Sequence, residues 1–299
     1  MDKIIIAGGS GFLGRCLVQH YHGIKEIVIL SRTFTATPGA KVVVWDARGQ
    51  GAWSEELEGA KAVINLCGKS VDCRYNEKNK AQIYSSRLHS TKAIGEAIRR
   101  CQRPPEVWIN SSSATIYRHS VDQPMEEEFG EIGAGFSVDV CQKWEAEFHS
   151  FELPNTRKIV ARTAIVLGRG GGALQPLRRL AQLGLGGYQG SGSQMVSWLH
   201  QDDFTSIVDY FLVNPLSGVF NLAAPHPITN KEFMSALRKA VGISIGIPTP
   251  AWLLEIGARI IRTETELILK SRYVVPKRLT DEGYLFQFET VGHALQNLI

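Results

Sequence analysis

The sequence predicts an α/β protein built on a doubly wound parallel sheet, with a smaller C-terminal lobe. Three observations predict it. A short apolar run, Ile4-Ile5-Ile6-Ala7, passes at once into Gly8-Gly9-Ser10-Gly11-Phe12-Leu13-Gly14 and then into an amphipathic stretch, Arg15 to Tyr21. Apolar runs then alternate with helical stretches as far as residue 168, the pattern of stacked β-α-β units. Beyond that point the alternation gives way to glycine-rich loops and proline-punctuated helices.

The opening is the most informative stretch. A β-branched strand, a glycine turn and a helix form the start of a Rossmann-type dinucleotide site. Gly8 allows the tight turn out of the strand. Gly11 removes a side chain where the backbone must approach a pyrophosphate. Gly14 lets the helix pack close to the sheet. The helix N-terminus then offers free N–H groups and the positive end of its dipole to the phosphates. The spacing reads both as Gly8-x-x-Gly11-x-x-Gly14 and as Gly9-x-Gly11-x-x-Gly14.

The second strand, Lys25 to Leu30, ends in Ser31-Arg32. A site for the bare ribose 2′-OH usually places an acid here. A hydroxyl and a guanidinium suit a 2′-phosphate instead; the alternative for Arg32 is a solvated loop residue. Val42 to Asp46 is a third strand, with Asp46 either near an adenine or a surface acid. Ala62 to Gly68 is a fourth strand running into a turn, followed by a helix from about Asn76 to Arg100. Val107 to Asn110 is the fifth strand, leading into Ser111-Ser112-Ser113-Ala114-Thr115-Ile116-Tyr117. Glu126-Glu127-Glu128 reads as a solvated face and Val138 to Phe151 as a helix. Lys158 to Leu167 reads as one sixth strand, leaving through Gly168-Arg169-Gly170-Gly171-Gly172. Gly184 to Gln194 reads as a mobile cover over the cleft, because its many glycines make one rigid conformation entropically costly. Val196 to His200 is strand-like, and Asp202-Asp203 is the expected N-cap of a helix near Phe204. Asn221 to Pro225 is a short strand and turn. The expected division is a dinucleotide-binding unit over 1–168, with contributions from about 196–225, and a mainly substrate-binding lobe over 169–299, mostly helical toward the C-terminus.

Composition narrows the function classes. A net charge of +4 over 299 residues, with no basic block interleaved with aromatics, argues against nucleic acid as a partner. Cys16, Cys67, Cys73, Cys101 and Cys141 form no C-x-x-C pair, which reads as reduced thiols in a cytoplasmic protein. No metal-ligand spacing occurs; His20 and His22 sit two apart on a helix and diverge. No apolar run is long enough for a signal peptide or a membrane span. The expected partner is a small-molecule substrate, with homo-oligomerisation left open.

Together these residues resemble the extended short-chain dehydrogenase/reductases. Within them the chain is most similar to an atypical branch, the nucleoside-diphosphate-sugar epimerase-like family. The resemblance spans essentially the whole chain. It rests on the glycine turn, Leu30-Ser31-Arg32, Asn65-Leu66-Cys67-Gly68, Ser86-Arg87, Lys143-Trp144-Glu145 and Val166 to Gly172. Gly184-Leu185-Gly186-Gly187, Gly190 to Gln194, Trp198-Leu199-His200 and Pro276-Lys277-Arg278 extend it. It implies NADP(H) held by Gly8, Gly11, Phe12, Leu13 and Gly14, with Ser31 and Arg32 at the 2′-phosphate. It further implies that Leu66 and Cys67 line the cofactor and that Gln82, Arg87 and Val166 approach it.

The implied activity is an NADP(H)-dependent oxidoreductase or epimerase acting on a carbonyl or secondary alcohol, a sugar nucleotide among the substrates considered. The alternative is a non-catalytic NADP(H)-binding sensor. Ser113-Ala114-Thr115-Ile116-Tyr117 matches the strand end where a serine assists the carbonyl, but the Tyr-x-x-x-Lys expected downstream is missing. Lys143 is read in the lysine's place, which puts Asp139 in the tyrosine's. The candidate catalytic groups are therefore Ser112, Ser113, Tyr117 and Lys143, with Ser113 orienting the carbonyl and Lys143 positioning the cofactor.

Overall fold

The computed structural model describes residues 1–261, 264 and 266–299. Its centre is β1 (Lys3–Ala7), whose residues Ile4 to Ala7 are completely buried. Glycine turn and α1 (Phe12–Tyr21) follow, then β2 (Glu26–Ser31), β3 (Lys41–Val44) and β4 (Ala62–Asn65). The long α2 (Glu77–Arg100) is capped by the Asn76 side chain, which accepts the Asn79 N–H. Next come β5 (Val107–Ser113), α3 (Phe136–His149) and β6 (Arg157–Thr163).

Further on, β7 (Ile165–Gly168), β8 (Gly171–Gly172) and α4 (Leu174–Gln182) precede β9 (Met195–Val196), β10 (Trp198–His200) and α5 (Gln201–Val213). The chain then forms β11 (Gly218–Leu222), β12 (Ile228–Thr229), α6 (Asn230–Ala240), α7 (Ala251–Ile261), α8 (Glu266–Leu269), α9 (Lys277–Asp281) and α10 (Val291–Leu298).

The main sheet has seven parallel strands in the order β11-β6-β5-β4-β1-β2-β3. Its strands read as continuous apolar runs because both faces are covered. Alternate residues of β1 serve opposite cores. Ile4 and Ile6 pack with Leu17 and Tyr21 of α1 and with Phe204 and Phe211 of α5. Ile5 and Ala7 pack with Ala93 and Ile94 of α2 and with Phe148 of α3. The strand order reverses between β1 and β4. In open α/β sheets a crevice forms at such a reversal, beyond the carboxyl ends of the strands.

The stretch expected as one sixth strand is two. β6 stays in the main sheet, and after Thr163 the chain leaves it. Ala164 N donates to Leu222 O, and β7 then pairs with β10 in a separate sheet of order β10-β7-β8. Apolar periodicity does not register a change of partner, so the break was invisible in sequence. The expected cap of α5 is also different. Its helix begins at Gln201, and His200 Nδ1 accepts the Asp202 N–H. Asp203 is buried and accepts the Gln287 and Phe288 N–H groups, tying the C-terminal segment to α5. Glu127, expected on a solvated face, accepts from Asn221 N and Arg278 N.

The glycine-rich stretch from Gly184 is laced into place rather than open. Gly187 and Gly190 N–H groups donate to Ile247 O and Thr249 O, and Ile247 and Thr249 return bonds to Gly184 O and Tyr188 O. Buried Gln189 and Gln194 hold its interior, the first against both amide atoms of Asn230. The entropic cost of ordering the glycines is met by this two-sided ladder.

Candidate active site

Two glycines of the opening turn are required by its geometry. Gly8 has φ +79°, and a Cβ there would lie 3.0 Å from the Leu66 carbonyl carbon. The turn after β1 and the loop after β4 thus meet at Gly8, on the two sides of the crevice. At Gly14 a Cβ would lie 2.4 Å from Gly9 Cα, so the glycine admits the turn itself, not the sheet, against α1. Gly11 is exposed, and a Cβ there would meet the Gly8 carbonyl oxygen at 3.4 Å, an ordinary contact. No side chain caps α1 and no acid lies in its first turn. The N–H groups at that end are left for a negatively charged group.

Phe12 explains a glycine run that the sequence left without a role. A Cβ at Gly168, Gly171 or Gly172 would lie 2.4, 2.9 or 3.1 Å from the Phe12 ring. The β7–β8 hairpin therefore closes over that ring, and Val166 enters the same core as Leu13 and Leu66. At the end of β2, Ser31 is buried and Arg32 is exposed. Cys67 lies within electrostatic reach of Arg32, and burial pushes its thiol up to about 12. Asp46 Oδ1 accepts from Arg48 N and Gly49 N, so that oxygen serves its own turn.

From α2, Gln82 is exposed. Arg87 turns inward: it donates to Lys69 O and Ile83 O and stacks 5.1 Å over the Trp144 ring. The Lys69 N–H is held by Ser86 Oγ at 2.8 Å. Arg87 and Ser86 thus fix the loop after β4. Behind that loop, Asn65 donates to Asn110 Oδ1 at 2.7 Å, and Trp144 Nε1 donates to Thr91 Oγ1 at 2.9 Å. These bonds satisfy the polar groups buried between the sheet and two helices.

The four candidate catalytic groups separate. Ser112 Oγ donates to Glu145 Oε1 at 2.5 Å, and Arg162 grips both oxygens of Glu145 at 2.9 and 2.8 Å. Arg162 also donates to the Tyr117 hydroxyl, which donates to Asn221 Oδ1, each at 2.9 Å. Burial opposes the charge on Arg162, but the Glu145 bonds and charge prevail and raise its pKa. Burial likewise raises the Tyr117 phenol. Ser112 and Tyr117 are consequently members of a closed, buried polar network.

Lys143 is not brought to them. α3 buries Val138, Val140, Cys141, Trp144, Glu145 and Phe148, whereas Lys143 is exposed and pairs with Asp139 one turn away at 2.8 Å. Tyr84 of α2 also donates to Asp139. The family resemblance puts Lys143 in the motif lysine's place; the helix turns that side chain outward, and Cys141 faces inward instead.

Ser113 is differently placed. Its Oγ lies 3.0 Å from Thr115 Oγ1 and accepts the Thr115 N–H. Thr115 in turn receives Lys270 Nζ on its carbonyl at 2.9 Å and Arg272 Nε on its hydroxyl at 3.3 Å. Neither cation was singled out in sequence. They lie 155 and 157 residues downstream of Thr115, in a segment without a recognisable motif.

Comparison with known proteins adds the following. The NAD dependent epimerase/dehydratase family matches residues 4–137, and a domain of unknown function, DUF1731, matches residues 249–298. The chain is 31% identical to the human epimerase family protein SDR39U1, with 99% of each chain covered. It is 30% identical to the epimerase family protein YfhF of Bacillus subtilis, covering 99% of this chain and 98% of that one. The crystal structure of human SDR39U1 (isoform 2) with NADPH superposes with a TM-score of 0.87 at 30% identity, covering 99% of this chain and 98% of that chain.

Proposed function

Given that the chain belongs to the epimerase family of SDR39U1, within the NAD-dependent epimerase/dehydratases (extended short-chain dehydrogenase/reductases), we propose that it binds NADP(H) and acts as an oxidoreductase on a carbonyl or secondary alcohol. The observation that carries this reading is the turn at β1, with its uncapped α1 N-terminus beside the sheet's reversal point. The NADPH in the human relative's structure supports it. The glycine backbone of Gly8, Gly11 and Gly14 cradles the pyrophosphate, with Phe12 and Leu13 supplying first-turn N–H groups. Ser31 and Arg32 take the 2′-phosphate. Leu66, Cys67 and Val166 form an apolar wall, Gln82 reaches the ligand from α2, and Arg87 acts through the loop it holds.

When bound, the cofactor supplies or accepts a hydride. The protein's part is to orient the carbonyl and to supply polarity. Ser113 does this: its hydroxyl proton, shared with Thr115, is free to turn to a carbonyl oxygen. Arg32 gives the sharpest test. Calorimetry is expected to find NADPH bound at least about tenfold more tightly than NADH, as charge-assisted hydrogen bonds imply. Arg32→Ala is expected to remove the preference. Equal affinities in the wild type would refute the assignment.

A second reading is a non-catalytic NADP(H) sensor. The locking of Ser112 and Tyr117 into a buried network, and the outward turn of Lys143, favour it. A panel of carbonyl compounds offered to the NADPH-loaded protein separates the two. NADPH oxidation that falls with Ser113→Ala supports the enzyme, and tight binding without oxidation supports the sensor.

A further inference from the structure

α7 is an apolar helix that its own chain leaves uncovered. Among its described side chains, residues 251–256, none is buried, and Glu255 alone is charged. A helix that is apolar all round is ordinarily an interior one. Trp252 and Ile256 lie one turn apart with Leu253 beside them, so the three share an exposed face. The apolar surface continues into the segment before the helix. A Cβ at Gly246 would lie 2.5 Å from Arg238 Cδ. Gly246 thus rests on Arg238, while its neighbours Ile245 and Ile247 are exposed.

The other side of this surface is the glycine-rich stretch laced to that segment. A Cβ at Gly187 would lie 2.3 Å from the Ile247 carbonyl carbon, and backbone bonds between residues 184–190 and 247–249 hold the two together. Leu183, Leu185 and Tyr188 are exposed there. The exposed fractions of these eight apolar residues run from 37% at Tyr188 to 73% at Leu183 and Ile245. They amount to roughly 900 Å² of accessible surface, more than the about 300–600 Å² of a typical monomer's largest patch and close to the roughly 800 Å² that each partner gives to a stable interface. No charged residue occurs in 183–194 or in 240–254. Depletion of charge around aromatic residues such as Trp252 and Tyr188 is the composition of an interface core. The backbone ladder already orders much of this surface, which lowers the cost of association.

We propose that this face is a self-association surface, on which two copies of the chain pair about a two-fold axis. Area is the first reason, since it suffices for one side of a stable dimer. Charge is the second. In a two-fold pairing the same patch meets itself, so a patch of one sign would repel its copy. An uncharged patch meets no such repulsion. An anionic membrane surface would instead be matched by clustered Lys and Arg, and a charged partner by charge of the opposite sign; the two stretches hold neither. Trp252 is the expected anchor, because large aromatic side chains dominate the energetics of such contacts.

Sedimentation velocity of the full chain over a range of micromolar concentrations tests this, and a dimer is expected. Ile247→Glu and Trp252→Glu each add a charge to both sides of the interface. Each is expected to raise the dissociation constant by about thirtyfold or more, as loss of an interface anchor implies. Trp252→Ser, which adds no charge, is expected to weaken association less. Both side chains are exposed in the single chain, so melting curves of the dilute variants should match that of the equally dilute wild type and show that they are folded. Hydrogen exchange locates the contact: amides of residues 251–256 should exchange more slowly in the concentrated wild type than in the glutamate variants. A monomer at every concentration, or a dimer that persists in the folded variants, would overturn the proposal. So would binding of the monomer to phosphatidylglycerol–phosphatidylcholine vesicles that the glutamate variants lose, which would give the face to a membrane. No readout here depends on NADPH, so a failure of the cofactor reading would leave this result standing.

Discussion

At the scale of single residues, the Arg162–Glu145 pair is a buried ion pair at the centre of a polar network. Both side chains are about nine-tenths buried, and their bonds extend to Ser112, Tyr117 and Asn221. Removing one partner leaves an uncompensated charge, so Arg162→Met is expected to cost about 3–5 kcal/mol in urea unfolding. The double variant Arg162→Met with Glu145→Leu is expected to recover part of that, since the stranded charge is gone. A double variant less stable than the single one would contradict this account. His200 makes a pH prediction. It is fully buried, caps α5 through Nδ1 and stacks 3.7 Å from the Phe288 ring. Burial, aided by Arg169 and His293 and opposed by Asp202 and Asn297, pushes it down to about 4. Between that value and the ordinary value of 6.5 the unfolded chain binds the proton and the folded chain does not. Stability is therefore lost as pH falls from 6.5 toward 4, by about 3 kcal/mol at most from this group. Melting curves across that range should show the loss, and His200→Asn, which keeps a cap, should flatten it.

At the scale of elements, the ring of Phe12 and the glycines of the β7–β8 hairpin are complementary, and either side can be tested. Phe12→Ala leaves a void under the hairpin and is expected to cost about 3 kcal/mol in urea unfolding. Gly168→Ala places a methyl where the ring and the Gln201 side chain already are, and overpacking of this kind costs about 1–3 kcal/mol. If Gly168→Ala melts like the wild type, the ring does not set the need for glycine there. The ladder between residues 184–190 and 247–249 predicts slow hydrogen exchange at Gly187 and Gly190. Asn230→Ala, which removes the bonds to Gln189, is expected to speed exchange at these amides while leaving β1 protected. Fast exchange at Gly187 and Gly190 in the wild type would return this segment to the role of an open cover.

At the scale of the whole molecule, the C-terminal residues are knitted into the main sheet rather than appended to it. Asp203 of α5 holds Gln287 and Phe288. Arg278 stacks 4.1 Å over Phe220 of the edge strand β11 and donates to Val219 O. Val274 lies in the same core as Ala114, Ile116 and Cys141. The two parts are expected to unfold together. Asp203→Ala should lower the stability of the sheet and of the C-terminal segment in a single calorimetric transition, by about 2–4 kcal/mol for two buried N–H groups left without acceptors. Two separated transitions would show that the lobe is independent.

What the sequence by itself determined is the local framework. Strand, glycine turn and helix at residues 4–21, the exposed Arg32 at the end of β2, the buried parallel strands and the serine-rich end of β5 are all set by short-range chemistry: β-branching, backbone freedom at glycine, and the period of apolar residues. Their positions were legible because each depends on neighbours within a few residues. Tertiary structure alone decided the rest. It turned Lys143 to solvent and Cys141 inward, because a helix face is chosen by the partners that bury it. It drew Ser112 and Tyr117 into a closed network with Glu145 and Arg162, and it broke the sixth strand between two sheets. It also brought Lys270 and Arg272 against Thr115 across more than 150 residues. Such contacts follow from where the C-terminal segment docks, and no periodicity along the chain encodes a distance of that kind.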